Sequence, residues 1–292
     1  MAVRDDISQR YAELSPALQQ VARFVLEHPN DVVTASMRTV GTRAGSPPAT
    51  LVRFAQMLGF EGWPQLKEAF AQDMGLGSDA AYGQRAKALV GRAVDHDLVG
   101  ETFEVHRHNL QATEARLGDA LHQACALLEK ARAVHVAGFR ASFPVAFSFV
   151  YVYRLFRASV HLVDGQGGML EMQCRAMERG DALLAVGFAP YSREVLAAAE
   201  AARNAGCRIV ALTDSPASPL ALMADATLLF SLHSPSFFPS ITSAVALSEA
   251  LVELLASRAG KGVVGRIEQA EAQLFASGAY LEAPQRRRGG RE

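Results

Sequence analysis

Between residues 133 and 230 the chain places five short, almost unbroken apolar runs, at 133–137, 160–163, 182–186, 209–212 and 226–230. A strand with one wet face alternates polar and apolar residues, whereas a strand covered on both faces of a parallel sheet need not. Parallel neighbours also require a crossover. Helix-patterned segments at 143–157, 168–178 and 193–205 supply three of them. The pattern predicts an α/β three-layer sandwich around a parallel five-stranded sheet. Ligands of such sheets bind beyond the carboxyl ends of the strands, where helix N-termini present free N–H groups to anions.

Two loops fall at that place. Residues 138–142 follow the first strand and 187–194 follow the third, each leading into a helix. The candidate ligand-binding residues are Gly138, Arg140, Ser142, Gly187, Ala189, Tyr191, Ser192 and Arg193. Ser142 and Ser192 can cap a helix and also donate to an oxyanion, and an arginine adds a charge-assisted contact. Taken alone, each loop also fits an ordinary connection with capping serines and solvated arginines. The loop after the fourth strand, from Thr213 to Pro216, reads as a turn.

The N-terminal third is helical. Ser15-Pro16 opens a helix whose inner face is Leu18, Val21, Ala22, Val25 and Leu26. Ser36 can cap a second helix, Gly45 breaks it, and Pro48 opens a third that closes at Gly59. A fourth is expected at 64–74. The second and third helices form a helix-turn-helix pair, the second member of which enters the DNA major groove. From residue 36 to residue 60 there are three arginines, Arg38, Arg43 and Arg53, and no acid. The whole chain has a formal net charge of only −1, so any nucleic-acid contact must be local. The candidate DNA-binding residues are Ser36, Arg38, Arg43, Ser46, Pro47, Thr50, Arg53, Gln56 and Lys67. On pattern alone, a helical dimerisation subdomain with solvated arginines fits equally well.

The 292 residues, half of them hydrophobic and a fifth charged, exclude a mainly disordered chain or a fibre. Cys125, Cys174 and Cys207 are odd in number and lack C-x-x-C spacing, which argues against a disulfide framework or a structural zinc site. The N-terminus lacks the apolar core of a targeting signal, and the apolar run 143–153 is too short to span a bilayer, so a cytoplasmic protein is expected.

The segment 43–54, continued by Leu58-Gly59-Phe60 and Trp63-Pro64-Gln65-Leu66-Lys67, resembles the N-terminal domain of the RpiR/MurR family of bacterial transcriptional regulators. Residues from about 120 to 258 resemble the SIS (sugar isomerase) domain of that family, on the 138–142 loop and on Gly206 to Ser215, with Ser218-Pro219-Leu220 and Ala224-Asp225 after it. The resemblance implies a multidomain chain: a helix-turn-helix DNA-binding domain at 1–77, a linker and connecting helix at 78–118, a SIS-type effector and dimerisation domain at 119–260, and a C-terminal helix and basic tail at 261–292. It implies a regulator, by family habit a repressor, that binds double-stranded operator DNA as a homodimer or homotetramer and senses an anionic metabolite, typically a phosphosugar. No cofactor, metal or membrane partner is expected. The chain departs from the family pattern at Pro47, where a hydroxyl cap is usual, and at Gly187, Ala189 and Pro190, where the phosphosugar loop carries serines and a glycine. Arg140 stands where a second glycine is common and points to a different anion, such as a carboxylate.

The rival class is a phosphosugar isomerase on the same fold, which needs a positioned base. The candidates are Glu194, His161 and His233. His106 and His108 do not share a helix face and read as a solvated pair. The aromatic run from Phe147 to Phe156 and Leu247, Leu251, Leu254 and Leu255 read as core or dimer contacts. The tail with Arg286, Arg287, Arg288 and Arg291 reads as solvated.

Overall fold

The computed structural model describes residues 3–73, 82–90 and 98–281; the glycine-rich segment after residue 74 and the arginine-rich tail lie outside them. Six helices form the N-terminal domain: α1 (Val3–Arg10), α2 (Pro16–Glu27), α3 (Pro29–Thr34), α4 (Met37–Arg43), α5 (Pro48–Met57) and α6 (Trp63–Asp73). Their apolar stripes meet in one core in which Val21, Val25, Val40, Leu51, Phe54, Leu66 and Phe70 are fully buried. The proline after His28 ends α2 and begins α3, because proline suits a first helical turn but not an interior one. Ser36 caps α4 by accepting from the Thr39 N–H at 3.2 Å.

The turn between α4 and α5 is tightly built. Gly45 has φ +63°, a left-handed conformation open to glycine at little cost. The Ser46 N–H donates to the Gly41 carbonyl at 2.8 Å, and Gln20 on α2 donates to the Ala44 carbonyl at 2.9 Å. A side chain on Gly41 would lie 2.8 Å from the Ser46 carbonyl oxygen, so the two helices approach through a backbone contact. The pair is therefore fixed as a unit on the rest of the domain.

Helix α7 (Tyr82–Val90) precedes α8 (Leu98–Glu114) and α9 (Ala120–Lys130). The second domain then alternates β1 (Val134–Gly138), α10 (Phe143–Arg154), β2 (Val160–Val163), α11 (Leu170–Arg175), β3 (Ala182–Val186), α12 (Arg193–Ala205), β4 (Arg208–Thr213) and β5 (Ala226–Leu229). It ends with α13 (Thr242–Arg258) and α14 (Gly262–Ala276). All pairings are parallel and the order is β2-β1-β3-β4-β5. Helices α9, α10 and α13 cover one face, and α11 and α12 cover the other. Strands β1 and β3 are buried at every position, which is why their sequences show no alternation.

The connecting helix expected before the sheet is packed into this domain: α8 lies on α13, and its Asn109 and Thr113 are buried. Asn109 donates to the His233 carbonyl at 2.7 Å and accepts from the Ser231 hydroxyl at 3.0 Å. The segment expected to be helical over 168–178 is helical only over Leu170–Arg175. Gly165, Gly167 and Gly168 all take positive φ and hold the preceding stretch in turns. Helix α10 is aromatic on two faces: Phe149 and Tyr153 enter the core, whereas Phe147 and Tyr151 are about half exposed. No helix of the described residues is long and apolar enough to cross a membrane.

Candidate functional site

Strand order reverses between β1 and β3, since the chain leaves β1 toward β2 on one side and returns to β3 on the other. The crevice at their carboxyl ends is where an open α/β sheet places its ligand. The loops 138–142 and 187–193 meet there around a cavity of about 190 Å³. Arg140, Ser142, Gly187 and Ser192 line it, together with Tyr82, Phe139, Val186, Phe188, Pro190, Val195 and Phe238.

Gly138 is dictated by packing. A Cβ there would sit 2.6 Å from the Ala146 Cβ and 2.8 Å from the Ser142 carbonyl oxygen, so only glycine lets the loop fold this close under α10. Ser142 is 5% exposed, and it does not cap α10 as its position before the helix suggests. A short 3-10 turn over Arg140–Ser142 intervenes and turns it to the cavity wall. Arg140 has φ +53°, a left-handed conformation that costs a side-chain-bearing residue about 1–2 kcal/mol. Its guanidinium reaches Glu194 at 3.4 Å and is otherwise largely in solvent.

The second loop is held from behind. Asp214 accepts the Ala189 N–H at 3.3 Å and, through its other oxygen, the Tyr191 hydroxyl. Burial first, and then the neighbouring carboxylate, push the Tyr191 pKa well above its ordinary value, so the phenol stays a neutral donor. The turn read after the fourth strand thus acts as a brace for the site. Ser192 does cap α12, accepting from the Val195 N–H at 3.2 Å, and it remains on the cavity wall. Of the expected ligand-binding residues, Gly138, Ala189, Tyr191 and Arg193 do not line this cavity. Tyr191 and Arg193 instead face a separate space of about 260 Å³ whose other wall is Val33 and Lys67 of the N-terminal domain. The aromatic walls Tyr82, Phe188 and Phe238 were missed by the sequence reading; the Phe237-Phe238 pair inside an otherwise polar loop was the available signal.

In the N-terminal domain Ser36, Arg38, Arg43, Pro47, Arg53 and Gln56 are exposed, and Thr50 is half-buried between them. Arg43 also pairs with Asp31 at 2.7 Å. Two of the expected DNA contacts are otherwise engaged. Ser46 is only 7% exposed because the turn folds it inward. Lys67 is half-buried and donates to the Ala35 carbonyl at 3.1 Å, at the end of α3. Burial and then nearby Arg193 lower its pKa.

The candidate bases are scattered. Glu194 is engaged with Arg140, His161 lies near the amino end of β2 away from the crevice, and His233 is exposed. A larger cleft of about 700 Å³ separates the domains, but Glu27, Asp31 and Glu200 mix with Arg43 and Arg203 along it, which gives it no single ligand charge. Among the described residues no group of three or more His, Cys, Asp or Glu side chains could hold a metal ion.

Comparison with known proteins adds to this geometry. Residues 1–75 match the helix-turn-helix domain of the rpiR family, and residues 127–257 match the SIS domain. The HTH-type transcriptional regulator HexR of Pseudomonas aeruginosa is 28% identical over 225 residues, covering 74% of each chain. The HTH-type transcriptional regulator YfhH of Escherichia coli is 26% identical over 215 residues, covering 71% of this chain and 73% of its own. Among solved structures, the sugar isomerase domain of an RpiR transcription factor from Sphaerobacter thermophilus superposes with a TM-score of 0.58 at 22% identity, over 61% of this chain and 99% of that one. Vibrio vulnificus NanR, solved with ManNAc-6P, superposes with a TM-score of 0.56 at 19% identity, over 94% of this chain and 98% of that one.

Proposed function

The chain belongs to the rpiR family of transcriptional regulators, pairing that family's helix-turn-helix domain with a SIS domain, and from this premise we propose a ligand-controlled DNA-binding switch. Helix α5 enters the major groove of an operator. Arg38 and Arg43 bind phosphates beside it, and Arg53 and Gln56 present donors from the exposed face of α5. A small anionic metabolite occupies the crevice between Arg140 and Ser192; Vibrio vulnificus NanR, which shares the fold, was solved complexed with ManNAc-6P. The protein acts in the cytoplasm, where its DNA is, and it assembles as a homodimer or homotetramer. The half-exposed Phe147 and Tyr151 on α10 fit such an interface, and a two-fold dimer fits a palindromic operator.

One observation carries the switch. The loop 187–193 presents Pro190 and Ser192 to the effector cavity and Tyr191 and Arg193 to the N-terminal domain at Val33 and Lys67. A ligand that reorders this loop therefore changes the surface against which the DNA-binding domain rests, and differential affinity for the two states is what coupling requires. An isomerase role is disfavoured because Glu194 is engaged by Arg140, and His161 and His233 lie outside the cavity wall. The test is to select a duplex from a random DNA pool and measure its affinity with and without pooled sugar phosphates, sugar acids and small carboxylates. A change of fivefold or more from at least one pool is expected. The same affinity with every pool would remove the switch.

A further inference from the structure

The effector cavity has an apolar wall and very few donors. Its surround is Phe139, Val186, Phe188, Val195, Phe238 and the ring of Tyr82, which sits 5.1 Å from that of Phe238. Against it stand Arg140, the one cationic side chain among the described residues of the wall, Ser192, and Ser142, a residue only 5% exposed whose hydroxyl makes no hydrogen bond among the described residues. A wall hydroxyl that is not spent on the protein is free to donate to a ligand acceptor. From this arrangement we infer that the ligand is a monocarboxylate on a small apolar body, aromatic or branched, and not a phosphorylated sugar. The inference rests on the effector reading of the crevice and deepens it.

Two features stand against the phosphosugar. A phosphate dianion needs donors on three oxygens, and the loop 187–192 has withdrawn several of its own. Gly187 and Ala189 carry no polar side chain, Pro190 has no N–H, and the Ala189 N–H and the Tyr191 hydroxyl both go to Asp214. A side chain at Gly187 would meet the Leu220 methyl at 2.9 Å, so an apolar residue fills the space in which a hydroxyl could stand. Charge points the same way. Glu194 lies 3.4 Å from the Arg140 guanidinium and offsets it, which leaves the site suited to a monoanion that shares the planar fork. The rings of Phe139, Phe188 and Phe238 offer the sugar hydroxyls nothing to bond.

The experiment is calorimetric titration of the full chain with phenylacetate, 4-methylpentanoate, the neutral isostere phenylacetamide, glucosamine 6-phosphate and N-acetylmannosamine 6-phosphate. At least one of the two carboxylates should bind, with phenylacetamide at least tenfold weaker than phenylacetate if phenylacetate is the binder. Arg140→Ala should weaken the binding carboxylate at least tenfold, and Ser142→Ala severalfold, with unchanged melting temperatures confirming that both variants fold. A sugar phosphate that binds more tightly than both carboxylates overturns the ligand class and leaves the effector site standing. Equal affinity for phenylacetate and phenylacetamide, or a carboxylate affinity that survives Arg140→Ala, overturns the anion clamp. Failure of all five probes overturns the carboxylate assignment, whereas the effector reading falls only if the pooled DNA titration above also gives no response.

Discussion

Replacing Gly138 by alanine places a methyl group 2.6 Å from the Ala146 Cβ and 2.8 Å from the Ser142 carbonyl oxygen. Ordinary contacts of that kind lie at about 3.5–4.0 Å, so one neighbour must retreat by roughly 1 Å. Neither has a flexible end with which to do so. Ala146 is a fully buried position of α10, and the other contact is backbone. Overpacking of this kind costs about 1–3 kcal/mol. For a chain of this size that lowers Tm by about 2–4 °C per kcal/mol. The control is Gly265→Ala on the exposed side of α14, where nothing lies within 4 Å. Removing glycine from a helix interior stabilises by about 0.5–1 kcal/mol, so the control moves the opposite way. Differential scanning fluorimetry on the two variants and the parent reads both signs in one plate. A Gly138→Ala protein that melts at or above the parent temperature would refute the close packing on which the first loop depends.

Two further outcomes follow from the cores. Phe54 is fully buried in the N-terminal domain, so Phe54→Ala should cost about 3–5 kcal/mol, seen in chemical denaturation as an early transition of that domain. Asp181 is buried, and burial alone would raise its pKa. The Arg132 guanidinium at 3.0 Å, the Glu178 N–H at 3.0 Å and His135 at 3.1 Å outweigh that and hold it at about 2. A carboxyl depressed in the folded state stabilises above its unfolded pKa of about 3.9 and loses that contribution as pH falls through its folded value. The contribution is about 2 kcal/mol, and Asp181→Asn should flatten the loss of stability between pH 4 and pH 2 in acid-denaturation curves.

Strand 182–186 and helix 193–205 are legible from the sequence to the residue, because that strand is dry on both faces and α12 is bounded by a capping serine and a left-handed glycine; strand 160–163 is matched too, although His161 on this edge strand is exposed. The loops at the carboxyl ends of β1 and β3 follow from strand order and chain direction. What local pattern cannot give is the company that distant segments bring. Phe238 reaches the cavity from the loop after β5, and Tyr82 from a helix that precedes the whole sheet. Ser142 reads as a helix cap and is a cavity wall, because a single 3-10 turn shifts the start of α10. Ser46 reads as a DNA contact from its small polar side chain beside the start of α5, and Lys67 from its charge. The compact turn buries the first, and the end of α3 occupies the second.

The central claim is that the exposed face of α4 and α5 grips duplex DNA. Its most direct test is the salt dependence of binding to a duplex selected from a random pool, compared between the parent chain and Arg53→Ala. The parent should lose affinity linearly in log salt, as contacts to phosphates release counterions. Arg53→Ala should bind at least tenfold more weakly while melting within 1–2 °C of the parent, because the side chain is exposed and packs no core. Equal affinity for the two proteins, or failure of the parent to enrich any duplex, would contradict the account.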